Sequence, residues 1–154
     1  MTVFVADEQD ADIPVDVLKE LAELVLTHEG YPSDTEVTVL FVDDESIAGY
    51  NERFMGRKGP TDVLAFPLEE LRAGVAPLPR GSGPPLHLGD VIIAPDKVSR
   101  QAAEREVAFE DELSLMVVHG MLHLMGWDHP DDDLAERMEA KEAEILAKVG
   151  RTRP

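Results

Sequence analysis

The chain has 154 residues, 44% of them apolar, and a formal net charge of −18 at pH 7. That length suits one domain burying roughly 70% of its unfolded surface, and the apolar share is ordinary for a globular protein, so disorder is not the default reading. Cysteine is absent, which excludes disulfides and thiolate metal sites, and the charge argues against indiscriminate coating of nucleic acid or anionic membrane.

The acidity is read as a general property of the surface rather than as the mark of an acidic-partner function. The opening "MTVFVADEQD" has neither the basic nor the long apolar region of a secretory signal. The apolar stretch from Leu113 to Trp127 is interrupted by Ser114, His119 and His123, so no run reaches membrane-spanning length. A soluble, cytoplasmic protein is expected.

"TVFVADE" alternates enough to be a short strand. Pro14 opens a helix whose apolar positions Val17, Leu18, Leu21, Leu24 and Val25 recur at helical spacing, with Gly30 as its stop. "EVTVLFVDD" reads as a largely buried strand, and "DDESIAGYNERFMG" as a short helix, acidic at its start and closed by Gly56. A strand is expected from about Thr61 to Phe66, followed by a long Pro/Gly-rich loop over 67–88.

"LGDVIIAPD" is the next strand, and a helix begins near Pro95. Two helices follow, from about Glu110 to Met125 and from about Asp133 to Val149. Asp133 and Glu136 read as a capping box for the second, with Leu134, Met138, Ile145 and Val149 as its buried stripe. Capping also explains the Asp131–Asp133 run better than a calcium loop does, because the spacing lacks the D-x-D-x-D-G pattern. The order of elements predicts an α+β fold, a single domain over 1–154 with a small mixed β-sheet packed against helices.

"VVHGMLHLMGWDHP" places three of the five histidines within eleven positions. His119 and His123 stand at i and i+4, so their rings leave one helix face about one turn apart. Gly126 supplies the left-handed residue that ends a helix, and the reversal carries His129 back towards the pair. The set offers three neutral nitrogen ligands and leaves a fourth tetrahedral position open, as catalytic metal sites do. A single histidine on an apolar helix is ordinarily a core residue; three at this spacing around a turn glycine point to metal. Zinc is the first expectation, with nickel, copper and iron open.

The spacing overlaps with the zinc-peptidase pattern H-E-x-x-H-x-x-G-x-x-H. There the glutamate takes a proton from water during peptide hydrolysis, and here its position is Gly120. That counts against a peptidase. Asp128 either hydrogen-bonds within the turn or orients a ligand, while Trp127 is read as packing rather than as a base-stacking platform.

"HGMLHLMGWDH" resembles the H-G-x-L-H-L-x-G-x-D-H motif of the YbeY-type bacterial endoribonucleases. "PTDVLAFP" is similar to that family's P-T-D/N-V-L-S-F-P, and "LGDVII" to its L-G-D-I-x-I. "DDDLAERMEAKEAEIL" resembles the acidic start and E-x-E pattern of its last helix, so the likeness spans nearly the whole chain. It implies a single α+β domain with a zinc-like ion on His119, His123 and His129. It also implies a metal-dependent, single-strand-specific endoribonuclease of 16S rRNA 3′-end maturation and ribosome quality control. The implied partners are the small ribosomal subunit and its proteins. Two departures stand out: the family's arginine ahead of P-T-D/N-V-L falls on Met55, between Arg53 and Arg57, and its S-F-P serine is Ala65.

Arg53 and Arg57, with Lys58, are the nearest cations to that strand and are candidate phosphate contacts, or else an ordinary solvated helix end. For Asp62 and Asp90 a turn or strand-end hydrogen bond is expected. The competing readings are a non-catalytic ribosome-assembly factor with a structural metal and a metallohydrolase of another substrate class.

Overall fold

The computed structural model describes residues 1–154. In chain order the elements are β1 (Thr2–Glu8), α1 (Val15–His28), β2 (Glu36–Val42), α2 (Asp44–Met55), β3 (Val63–Pro67), β4 (His87–Ile93), α3 (Pro95–Glu104), α4 (Phe109–Leu124) and α5 (Asp132–Ala147). Type and order match the expected pattern throughout. The strands form one sheet in the order β1-β2-β4-β3, with the first two pairings parallel and β3 antiparallel on the edge. It is the small mixed sheet of an α+β domain.

Strand alternation divides the sheet into two unequal faces. Val37, Val39, Phe41, Val91 and Ile93 point into the larger core, shared with α1, α4 and α5. Leu64 and Ile92 point the other way and pack with Ile47 of α2. α4 crosses the larger core buried on nearly every side, as expected for a helix apolar all round. None of the helices is long and apolar enough to cross a membrane.

Local sequence explains where the helices stop. α1 ends in a left-handed Gly30 (φ 77°), with Gly30 N bonded to Thr27 O and Tyr31 N to Leu26 O. This paired closure satisfies carbonyls that the helix leaves open. α2 begins on Asp43, whose side chain accepts from Ser46 N at 2.8 Å, and ends at left-handed Gly56.

Four expectations need correction. α5 is capped by Asp131, not Asp133: Asp131 accepts from Leu134 N at 2.8 Å, and Asp133 pairs with Arg137 on the exposed side. The buried stripe is Met138, Glu142, Ile145 and Leu146, whereas Leu134 in the first turn and Val149 beyond the last are exposed. Likewise Val17 lies outside α1's buried face, which runs through Leu18, Leu21, Ala22, Val25 and Leu26. The long loop is slightly shorter than 67–88, because Pro67 still pairs with Gly89 and β4 begins at His87.

Tyr31 is almost wholly buried, its hydroxyl has no hydrogen-bond partner, and burial together with the Glu29 charge pushes its pKa up to about 12. The unfolded chain ionises near pH ~10, so above that pH the folded state holds the extra proton and stability falls as pH rises towards 12. Denaturant midpoints measured on both sides of pH ~10 should fall less steeply for Tyr31→Phe than for the wild type.

Candidate metal centre

His119 and His123 project from the last two turns of α4, and their Nε2 atoms face each other at 3.0 Å. Gly126 (φ 94°) closes the helix by the same paired device as α1: Gly126 N bonds His123 O at 3.1 Å and Trp127 N bonds Leu122 O at 3.0 Å. A Cβ at Gly126 would also run into the Leu71 carbonyl of the long loop, so glycine is required there twice over. The reversed chain brings His129 alongside, and one ring nitrogen from each histidine lies within 4.8 Å of the others.

The turn is held from several sides. Asp128 Oδ1 accepts from His129 N at 2.8 Å, which is the within-turn reading of that residue. Trp127 is partly buried against the main core and donates through Nε1 to Glu29 at 3.2 Å, with the Lys141 ammonium 5.6 Å from its ring centre. It packs, as expected.

Sequence reasoning missed Glu142. Its Oε2 lies 2.7 Å from His119 Nδ1, and the carboxylate is 1% exposed. An anion there accepts, so Nδ1 carries the proton and the Nε2 lone pair is left facing His123 and His129. The readable signal was a glutamate on the apolar stripe of α5, between Met138 and Ile145. Burial, and then the neighbouring His119 and His129, hold the His123 pKa below the usual histidine value, which favours the neutral imidazole that a cation needs.

The arrangement fits a divalent metal ion. Two ring nitrogens on one tetrahedral cation stand about 3.3 Å apart, against 3.0 Å for the His119–His123 pair. All three donors are imidazole nitrogens, and His119 has the carboxylate-fixed tautomer common among metal ligands. The three histidines can hold an ion.

They line an open cleft of about 610 Å³ whose lining also includes Asn51, Met55 and Arg57. Arg57 therefore reaches the histidine cleft. Arg53 does not line it; its guanidinium lies 5.8 Å from the Phe54 ring centre. Met55 lines the cleft at the position where related chains were expected to carry arginine, and Ala65 lines it in place of the serine. Asp62 uses both oxygens structurally, accepting from Val63 N at 2.8 Å and from Gln101 Nε2 at 3.1 Å. Asp90 shares the other face of the sheet with Thr38 and Phe66, beside Tyr50 and Phe54.

Gly120 has a packing role that the sequence did not reveal. A Cβ there would lie 2.5 Å from Val91 Cγ1 and 3.3 Å from Val63 Cγ2. α4 thus lies too close to β3 and β4 for the peptidase glutamate to fit.

An α+β domain with three convergent imidazoles in an open cleft defines a scaffold whose histidines could hold a metal ion. Comparison makes this particular: the family model described as Endoribonuclease YbeY matches residues 4–150, and the chain belongs to that family. It is 38% identical to Endoribonuclease YbeY of Salinispora tropica, covering 99% of each chain. It is 43% identical to Endoribonuclease YbeY of Alteromonas mediterranea, over 93% of this chain and 85% of that one. The solution structure of TM1509 from Thermotoga maritima superimposes with a TM-score of 0.62 at 27% identity, covering 96% of this chain and 91% of that one.

Gly120→Ala should lower stability by about 1–3 kcal/mol despite alanine's better helix propensity, because the added methyl overpacks the helix–sheet contact. Pairing it with Val91→Ala should cost less than the two separate losses combined, as measured by denaturant unfolding.

Proposed function

We propose that the protein is a metal-dependent endoribonuclease that cuts single-stranded RNA in the cytoplasm, acting in 16S rRNA 3′-end maturation and ribosome quality control. Residues 1–154 form the single catalytic domain, and the partners are rRNA, the small ribosomal subunit and its proteins. The observation that carries this reading is the convergence of His119, His123 and His129 in a cleft that also holds Arg57. The likeness to endoribonucleases across almost the whole chain supports the RNA substrate.

His119, His123 and His129 would hold one divalent ion, zinc by the preference of an all-imidazole donor set. When bound, that ion supplies Lewis acidity, polarising a phosphoryl oxygen and making water a stronger acid. Arg57 binds a phosphate of the RNA backbone, its planar fork matched to two phosphate oxygens. Asn51 holds the backbone that carries it: Asn51 Nδ2 donates to Gly59 O at 3.0 Å, and Arg57 N donates to Asn51 O at 3.3 Å. Glu142 keeps the His119 ring oriented. The open cleft lets a flexible strand approach the histidines.

The charge of −18 favours one second reading, an assembly factor whose metal is structural and whose RNA contacts come from a partner. Cleavage of single-stranded RNA by purified protein, with and without chelator, separates the two. The nuclease reading expects cleavage that chelator abolishes, that zinc restores, and that His123→Ala lowers by at least about 100-fold with the fold intact. Cleavage by metal-free protein at the full rate contradicts it, and so does a metal-loaded chain that cuts no RNA. Arg57→Ala should weaken cleavage roughly 10- to 100-fold, as loss of a charge-assisted hydrogen bond does, while Arg53→Ala should change it little.

A further inference from the structure

The segment after α5 makes contacts that the proposed activity does not use. Gly150 (φ 73°) turns the chain back over the domain, and the family match ends at that residue. Arg151 Nη1 reaches Asp111 Oδ1 of α4 at 2.7 Å, and the Pro154 carbonyl accepts from Arg105 Nη2 at 3.2 Å. Between these anchors, Arg153 Nε donates to Glu142 Oε1 at 3.1 Å. Glu142 therefore has one oxygen on His119 and the other on Arg153, at a position that water hardly reaches.

We infer that residues 150–154 are part of the metal centre, with Arg153 a positioning residue that acts on His119 through Glu142. The inference rests on the proposed metal site. A buried carboxylate is stable only when paired and hydrogen-bonded, and Arg153 supplies the cation that faces it. With both oxygens engaged, the carboxylate is fixed in the rotamer that keeps the His119 proton on Nδ1. Without Arg153, the buried charge gains by turning towards solvent, and His119 loses the partner that selects its tautomer. Ligand orientation of this kind is worth about 10- to 100-fold in metal affinity.

The test is zinc affinity of the full chain, measured by competition with a chromophoric chelator. The set is the wild type, Arg153→Gln, Arg153→Lys, Glu142→Gln and the Arg153→Gln/Glu142→Gln double variant. Glu142→Gln should weaken binding by about 10- to 100-fold and Arg153→Gln by about tenfold. Arg153→Lys, which keeps the charge without the planar fork, should lose less. The double variant should bind no more weakly than Glu142→Gln alone, because Arg153 acts through that carboxylate. In metal-free protein, ¹⁵N imidazole shifts should place the His119 proton on Nδ1 in the wild type and show mixed tautomers in Arg153→Gln.

Wild-type zinc affinity in folded Arg153→Gln overturns the inference, as do losses that add in the double variant. Should Arg153→Gln not fold, a Glu142→Gln chain that folds and binds zinc like the wild type overturns it as well. A wild-type chain that takes up no divalent metal overturns both this inference and the metal reading beneath it. Metal binding unaltered by Arg153→Gln overturns this inference alone.

Discussion

The close contact between α4 and the sheet at Gly120 sets the position of His119 and His123, the pair on which the rest of the candidate site is built. With no side chain at that position, α4 settles directly onto Val91 and Val63 of β4 and β3. His119 immediately before it and His123 one turn later are then carried to the open cleft beside β3 instead of being swallowed by the core. β3 is the edge strand, so the sheet itself leaves that side uncovered. The same glycine excludes the acid–base glutamate of the zinc peptidases on steric grounds, beyond its simple absence. One packing constraint thus fixes the place of two of the three converging histidines and removes a competing chemistry.

The site's electrostatics follow from the burial of His123 and Glu142. His123 is half buried beside two other imidazoles, which disfavours its protonated form. Glu142 is an anion in the core, made tolerable by His119 on one side and Arg153 on the other. A neighbouring cluster follows the same rule, with Glu112 wholly buried and gripped through both oxygens by Arg105 at 2.8 Å. The chain is strongly acidic overall, yet each of these interior carboxylates is matched by an arginine. That pairing concentrates cations where structure needs them and leaves Arg57 as the arginine lining the histidine cleft.

Much of this was legible from residue order. Alternating strands, helix-stopping glycines and the spacing of His119, His123, Gly126 and His129 carry short-range physics, and each is found where that physics puts it. Contacts between distant segments were harder to read. The α5 cap was misplaced because three consecutive aspartates are equally good candidates, and only the helix start selects Asp131. Glu142 was passed over for a different reason: the stripe was drawn through Met138 and Ile145 from apolar residues alone, and the glutamate between them shares that face. Arg53 and Arg57 look alike in sequence; they part because Gly56 ends α2 between them, sending one to the cleft and leaving the other beside Phe54. The role of Gly120 depends on β3 and β4, which lie far from it along the chain.

The central claim is that three imidazoles converge on one cation, and a crystal of the zinc-loaded protein tests it most directly. An anomalous difference map at the zinc edge should show a single peak about 2.0–2.1 Å from ring nitrogens of His119, His123 and His129. His119 should approach it through Nε2 while Nδ1 stays on Glu142. No peak at that position, or a peak held by other residues, would contradict the account.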